Sequence, residues 1–275
     1  MVCHYCGYEE PQPKVCPSCG SKYLGGFKAG TQKIEELVKK RFPQASVLRM
    51  DYDTTRTKDS YEKILQAFAN READILIGTQ MIVKGHDFAN VTLVGVLAAD
   101  MSLKVADFHA SERTFQLLTQ AVGRAGRGEK PGQAIIQTYD PEHFAIQTAK
   151  VQDYEAFYEQ EIAYRKLGLY PPFCGLCVIG FAGPKEKDVA QAAARFAVLL
   201  GQQAAKQPDL PLRVLGPTPG SIEKINDSYR YKLTVKCRND RRFRDLVRST
   251  LDCYEQEKLP SKATVVVDLH SDGDI

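Results

Sequence analysis

Tryptophan is missing from this 275-residue chain, and methionine occurs only four times. Long apolar runs are missing too. The longest, such as Val91–Ala99, are strand-sized, and a membrane-crossing helix needs about eighteen or more apolar residues, so no membrane span is expected. The opening residues, Met1-Val2-Cys3-His4-Tyr5, show neither a charged-then-apolar leader nor a transit-peptide composition. The protein is therefore read as cytosolic. An excess of one charge is also lacking: 37 Lys and Arg face 34 Asp and Glu, a net of +3, too small to name a partner. Finally, no Gly-x-x-x-x-Gly-Lys-Thr/Ser phosphate loop and no acidic Walker B strand can be found.

What remains is ordinary for a folded protein, 43% hydrophobic and 26% charged, with length for one or two domains that each bury a core. The charge is uneven locally. From Lys224 to Arg248, nine basic residues are opposed only by Asp227, Asp240 and Asp245. That excess suits either a phosphate-facing patch or a solvated helix and strand edge.

Eight cysteines in a cytosolic chain point to metal rather than to disulfides, provided the spacing agrees. Cys3-x-x-Cys6 and Cys16-x-x-Cys19 agree, with Gly7 and Gly20 directly after each pair. Two such knuckles can set four thiolates tetrahedrally around one Zn²⁺, and the glycines permit the tight turns. An all-sulfur shell leaves no open position, so the expected site is structural. Cys174 and Cys177 share the spacing but open an apolar run, where they would point to opposite faces of a strand. They are read as packing residues, as are Cys237 and Cys253.

Hydrophobic periodicity divides the rest of the chain. Ile34, Leu37, Val38 and Phe42 recur at helical spacing after Thr31, which fits an N-cap. A strand over Ser46–Met50, a helix over Ser60–Ala69, strands over Asp74–Ile77 and Val91–Ala98, a helix over Ser111–Val122 and a strand over Gln133–Thr138 follow. Continuous apolar strands alternating with helices predict one parallel sheet covered on both faces. Glu142–Leu167 reads as one helix. Beyond the Tyr170-Pro171-Pro172 linker the order is strand Leu176–Phe181, helix Glu186–Lys206, strand Leu212–Leu215, a Gly216–Gly220 loop, strand Tyr229–Val235, helix Arg241–Glu255 and strand Ala263–Asp268. That is βαββαβ, the order of ferredoxin-like sandwiches. The fold class is thus α/β.

Two segments carry chemistry. Ile77-Gly78-Thr79-Gln80-Met-Ile-Val-Lys84-Gly85-His86-Asp87-Phe88 follows a strand directly, where parallel sheets bind ligands. Gly78 and Thr79 let backbone amides approach phosphate oxygens, and Lys84 adds charge. Gln120-Ala-Val-Gly123-Arg124-Ala-Gly126-Arg127-Gly128 closes a helix. Gln120 and Arg124 share a helix face, while Gly123 and Gly126 loosen the end so that Arg124 and Arg127 can project together. Two guanidiniums aimed one way suit a phosphoryl group. Thr31, at a helix start, and the turn Asp53-Thr54-Thr55 are further candidate phosphate contacts, with cap and turn roles as the alternative.

The second segment resembles motif VI of superfamily-2 helicases and the first their motif V. Together with Gly30-Thr31-Gln32, the paired CxxC motifs, Gly216-Pro-Thr-Pro and Tyr229-Arg230-Tyr231-Lys232, they resemble the PriA family of bacterial replication-restart helicases over essentially the whole chain. The resemblance implies that Arg124 and Arg127 reach the γ-phosphate of ATP, with Gln120 beside them. It implies that Gly85, Asp87 and Gly123 lie near the nucleotide and that Thr79, with Lys84, Thr31 and Thr54, follows the DNA strand. It also implies a zinc ribbon over 1–24, a second RecA-like lobe with trailing helices over 25–167 and the βαββαβ domain over 168–275. The lobe that holds Mg²⁺ and ATP is a separate part of such proteins, so this chain alone is expected to be inactive. The family carries four CxxC pairs on two interleaved zincs, so Cys3, Cys6, Cys16 and Cys19 share one ion here or keep separate ones. Implied partners are branched forks, single-stranded DNA backbone, single-strand-binding protein and primosome loader proteins, in the bacterial cytoplasm. A RecG-like translocase and a non-catalytic zinc-ribbon adaptor are the alternatives.

Overall fold

The protein is described by a computed structural model covering residues 9–11, 13–23, 30–83, 88, 90–105, 107–126, 130–257 and 263–271. The chain divides into two units, one of residues 14–103 and 111–157, the other of 1–13, 104–110 and 158–275.

In the first unit helix α1 (Thr31–Arg41) leads to strand β1 (Val47–Met50), and helix α2 (Lys58–Ala69) to strand β2 (Ile75–Gly78). After a 3₁₀ turn at Gln80–Ile82 come strand β3 (Leu93–Val96), the short helix α3 (Asp100–Leu103), helix α4 (Ala110–Val122), strand β4 (Gln133–Ile136) and helix α5 (Phe144–Val151). β1 pairs with β2 and β3 with β4, both parallel. Parallel pairing is what helices between short apolar strands require. The single sheet expected from the sequence is corrected, however: among the described residues the strands form two separate pairs. Nor are both faces covered. β3 and β4 alternate between exposed and half-buried residues, and Leu93 and Ile135 are 58% and 53% exposed.

The core lies under α4. Thr114, Phe115, Leu118 and Ala121 are buried at helical spacing, and Phe115 stacks on Phe157 at 4.2 Å. Ala145, Ile146 and Ala149 of α5 complete this cluster. The helix expected over Glu142–Leu167 is in fact two. Gln152 adopts φ 57° after α5. The Asp153 carboxylate then accepts the Ala156 N–H at 2.9 Å, capping the start of helix α6 (Tyr154–Gly168).

Asp100 is buried at 8% exposure. Burial raises its pKa, but the Tyr139 N–H and the Thr138 hydroxyl at 2.8 Å outweigh that and hold it below the usual carboxylate range. A carboxylate with a lowered native pKa stabilises the fold above its unfolded value of about 3.9. That contribution disappears as pH falls through the lower native value. Asp100→Asn is therefore expected to cost stability at neutral pH and to flatten the acid limb below roughly pH 4, as read by urea titrations across that range.

The second unit runs strand β5 (Gly175–Gly183), helix α7 (Glu186–Ala204), strands β6 (Leu212–Ile225) and β7 (Ser228–Cys237), helix α8 (Arg241–Gln256) and strand β8 (Thr264–Asp268). All pairings are antiparallel, in the order β6-β7-β5-β8. Ile179, Phe181, Leu233 and Val235 of the sheet bury against Phe196 and Leu200 of α7 and Phe243 and Leu246 of α8. Asp240 caps α8 by accepting the Phe243 N–H at 3.0 Å. The residues between them in β5 and β7 line the other face: Val178, Thr234 and Lys236 are buried there too. Tyr170 lies under Lys236, 3.8 Å from its ammonium, and stacks on Phe108 at 5.4 Å.

Two further expectations are corrected here. Gly216–Gly220 is not a loop but part of β6, which absorbs it through register shifts between Leu215 and Thr218 and between Pro219 and Lys224. β6 is an edge strand, where proline removes no ladder bond that a neighbour needs. The Lys224–Arg248 run is not one open patch either. Lys232 and Lys236 are buried, and Lys224 and Arg242 pair with Asp227 and Asp209 at 2.9 and 3.0 Å. Cys177 and Cys237 are core residues, in keeping with a packing role. Cys174 is half-buried just before β5, its thiol donating to the Leu169 carbonyl at 2.9 Å.

Candidate functional site

β2 ends at Gly78, beside the backbone of β1. A side chain there would meet the Met50 carbonyl oxygen at 2.5 Å and Ile82 at 2.6 Å. Only glycine lets the chain pass so close and turn at once into Gln80–Ile82. Thr79 starts that turn, its carbonyl accepting the Ile82 N–H at 3.2 Å, and its side chain is exposed.

The helix end expected to carry the arginines meets this turn. Beyond α4 the backbone tightens: the N–H groups of Arg124 and Ala125 donate three residues back, to Ala121 and Val122, at 3.0 and 3.3 Å. Gly126 then reverses the chain at φ 74°, its N–H donating to Val91 at 3.0 Å. A Cβ at Gly126 would stand 2.5 Å from the Gly132 nitrogen. Left-handed strain and that overlap together give Gly126→Ala an expected loss of about 2 kcal/mol, measurable as a lower denaturation midpoint of the first unit.

Arg124 is half-buried. One terminal nitrogen donates to the Val83 carbonyl at 2.8 Å, tying the two motif segments together. Its Nε is buried with no hydrogen-bond partner, and among the described residues no carboxylate pairs with the guanidinium. A cation so placed, with donor capacity left over, fits an incoming anion. Gln120 is exposed one turn earlier. Gly123 is tightly placed, with Thr119 O 3.2 Å from where a Cβ would be. Lys84, Gly85, Asp87 and Arg127 lie outside the described residues.

Thr31 and Thr54 are brought together, but on a carboxylate. Gly30, not Thr31, is the N-cap of α1. The Thr31 hydroxyl donates to Asp51 Oδ2 at 2.5 Å. The Thr54 N–H donates to Asp51 Oδ1 at 3.0 Å, and its hydroxyl to the Asp51 carbonyl at 3.2 Å. Arg49 stands 3.3 Å from Asp51 Oδ2. The Thr31 hydroxyl bond above all, then the Thr54 N–H, holds the Asp51 carboxyl below its usual pKa despite burial. A hydroxyl has one proton to donate, so both threonine hydroxyls are committed inside the fold. The Val83 carbonyl and Asp51 are the members of this site that the sequence reading missed. Asp51 had a signal, the Asp-x-x-Thr spacing of a side-chain-capped turn; the carbonyl had none.

Cys16 and Cys19 form a knuckle. The Gly20 N–H donates to the Cys16 carbonyl at 2.9 Å, with Gly20 at φ 71°. The backbone N–H of Cys19, then that of Ser18, favours the Cys16 thiolate and lowers its pKa. A thiolate stabilised by amides fits a metal ligand. Cys3 and Cys6 lie outside the described residues, and among those described no three ligating side chains converge.

Similarity to known proteins follows the same division. Residues 26–129 match the Helicase conserved C-terminal domain, and residues 166–271 the Primosomal protein N C-terminal domain. Replication restart protein PriA of Bacillus subtilis (strain 168) is 44% identical over 270 residues, covering 98% of this chain and 33% of that protein. The Synechocystis sp. protein of the same name is 47% identical over 236 residues, 86% of this chain and 28% of its own. That of Chlamydia pneumoniae is 42% identical over 239 residues, 86% and 31%. The chain spans about a third of the length of the curated relatives it matches. A solved amidase of the hydantoinase/carbamoylase family from Burkholderia ambifaria aligns over 34% of this chain and 27% of its own at 13% identity, with a TM-score of 0.24, too slight a likeness to carry any argument.

Proposed function

Because this chain belongs to the PriA replication restart family, we propose that it is the C-terminal part of an ATP-dependent 3′→5′ DNA helicase that remodels stalled or branched forks so that replication can resume. The observation that carries this reading is Arg124: a half-buried guanidinium that no carboxylate pairs with among the described residues, held by a backbone carbonyl of the turn that bears Thr79. The chain has no phosphate loop of its own, so Mg²⁺ and ATP would be held by a partner lobe. Closure of that lobe would bring Arg124 and Arg127, with Gln120, to the γ-phosphate, where guanidinium charge stabilises phosphoryl transfer. Gly85, Asp87 and Gly123 would line the nucleotide side of this lobe.

The bond from Arg124 to Val83 then has a mechanical meaning. A shift of the guanidinium on nucleotide binding or release would pull on the turn that starts at Thr79, whose exposed hydroxyl would hold a phosphate of the tracking strand beside Lys84. Thr31 and Thr54 would serve the same path indirectly, by fixing β1 and its turn through Asp51. Cys3, Cys6, Cys16 and Cys19 would bind Zn²⁺, which would supply a rigid cross-link and no catalysis.

The second unit, with the strand order of a ferredoxin-like sandwich, would contact branched DNA, single-strand-binding protein or primosome loader proteins in the bacterial cytoplasm. No described helix is long and apolar enough to cross a membrane. The test is ATP hydrolysis with and without single-stranded DNA. The full-length protein is expected to be DNA-stimulated and this chain alone to be silent. A full-length protein without DNA-stimulated turnover would favour the non-catalytic adaptor instead.

A further inference from the structure

β1 and β2 end in step. Met50 lies beside Gly78 in the parallel register, so the residues that follow, Asp51 and Thr79, start their turns side by side at the carboxyl ends of the strands. Neighbouring strands run about 4.8 Å apart, and this edge is where parallel sheets receive ligands. Thr79 is exposed there. So is Tyr52, at 79%.

The turn that carries Tyr52 is heavily braced. A four-residue turn commonly has one backbone hydrogen bond or none. Here the Asp51 N–H donates to the Thr54 hydroxyl at 2.9 Å, and the Thr55 hydroxyl donates to the Asp51 carbonyl at 2.6 Å. The Thr55 N–H reaches the same carbonyl at 3.1 Å. The Asp51 carboxylate, in a residue only 8% exposed, gathers the Thr31 hydroxyl from α1 and the Thr54 N–H from the turn. Bracing of this kind holds the backbone under the Tyr52 ring before any ligand arrives, which lowers the ordering cost of binding.

Two carboxylates stand in the turn, and each has a guanidinium. Arg49 lies 3.3 Å from Asp51, and Arg56 donates to Asp53 at 2.7 Å. Together these four residues present no net negative charge to a phosphate at Thr79.

An aromatic ring held beside a phosphate-binding hydroxyl fits single-stranded nucleic acid, whose bases stack on rings while its backbone is held by polar groups. A duplex presents the same phosphates but hides its base faces. A protein partner would need a wider apolar surface, and the residues around Tyr52, namely Asp53, Thr54, Thr55 and Arg56, are polar.

We propose that Tyr52 is a base-stacking residue, holding one base of a single strand whose neighbouring phosphate is bound at the Thr79 turn. This rests on the reading that Thr79 follows a DNA strand, and it gives that path a base contact that selects single strand over duplex.

The test uses the 275-residue chain with three fluorescent ligands: oligo-dT, an abasic oligonucleotide of the same length and a hairpin duplex. Binding is read by anisotropy over a salt series. Tyr52→Ala is expected to weaken oligo-dT binding at least about fivefold and to leave the abasic and duplex ligands within about twofold. The slope of log K against log salt should stay as it is, since no phosphate contact is lost. Tyr52→Phe keeps the ring and should bind oligo-dT within about twofold of the parent. An oligonucleotide carrying 5-iododeoxyuridine should cross-link to Tyr52. The side chain is exposed, so its replacement leaves the core alone, and melting curves confirm that each variant is folded.

The proposal is overturned if Tyr52→Ala binds oligo-dT as the parent does, or if it weakens oligo-dT and the abasic ligand equally. It is also overturned if Tyr52→Phe is as weak as Tyr52→Ala, or if the parent chain has no affinity for oligo-dT. Thr79→Val tests the underlying reading separately, because a lost phosphate contact weakens oligo-dT and the abasic ligand alike. If Thr79→Val changes neither while Tyr52→Ala still weakens oligo-dT alone, the Thr79 reading fails and the base contact stands.

Discussion

Arg124→Ala in the full-length protein is expected to lower DNA-stimulated ATP hydrolysis about a thousandfold or more, with affinity for DNA changed by less than about threefold. The size follows from what the side chain does in the fold, which is little. Among the described residues its guanidinium donates only to the Val83 carbonyl, a bond worth about 1 kcal/mol, so alanine removes little stability. Among the described residues no carboxylate neutralises the cation, and its Nε has no acceptor there. The charge is therefore available to an external anion, and arginines that reach a transferring phosphoryl group contribute about 10³ to 10⁵ in rate. Arg124→Lys is expected to recover only a small part of this. Lysine keeps the charge, but a single ammonium cannot hold the Val83 carbonyl and a phosphate oxygen in the fixed fork that a guanidinium offers.

Asp51→Ala is expected to destabilise the first unit by about 3 kcal/mol, read as a lower urea midpoint. Two donors lose their acceptor together, the Thr31 hydroxyl and the Thr54 N–H, and Arg49 loses one of its opposing charges. Asp51 is only 8% exposed, so water replaces the carboxylate poorly, and each stranded group costs about 1–3 kcal/mol. Asp51→Asn should cost about half as much, because an amide oxygen still accepts one bond while the attraction to Arg49 is lost. Thr31→Val, losing a single hydroxyl bond, should cost about 1 kcal/mol. This series also separates two roles for the threonines. If Thr31 holds the turn through Asp51, Thr31→Val and Asp51→Ala share a term, and the double variant is less destabilised than the sum. If Thr31 instead contacts phosphate directly, Thr31→Val lowers DNA affinity with stability intact.

How much of this could be read from the chain follows from how local each signal is. The βαββαβ order was legible because Leu176–Phe181, Tyr229–Val235 and the helices between them have unbroken apolar periods, each decided within its own ten residues. Pro217 and Pro219 misled for the same reason: they signal a loop locally, and only the position of β6 at the sheet edge lets them stay in a strand. The break between α5 and α6 was hidden because Gln152 and Asp153 are acceptable helix residues, and the left-handed Gln152 is set by the packing of Ala149 and Phe157 in one core.

At the site, the glycines and arginines of the two motif segments were legible by type and spacing. Their relation was not, since the Val83 carbonyl is a backbone atom 41 residues from Arg124. The threonines show the limit most clearly. A threonine next to a helix start looks the same whether its hydroxyl awaits a phosphate or is bound to a carboxylate 20 residues away.

The most direct test of the account is the affinity of the full-length protein for two nucleotide states, with and without Arg124: ADP with aluminium fluoride, which resembles phosphoryl transfer, and an unhydrolysed ATP analogue. An arginine that acts on the transferring group binds the first far better than the second. Arg124→Ala should weaken the aluminium fluoride complex by about a hundredfold or more and the ATP analogue by less than about threefold. Equal affinities in parent and variant for both states, with normal folding, would contradict it, because Arg124 would then have no nucleotide to reach.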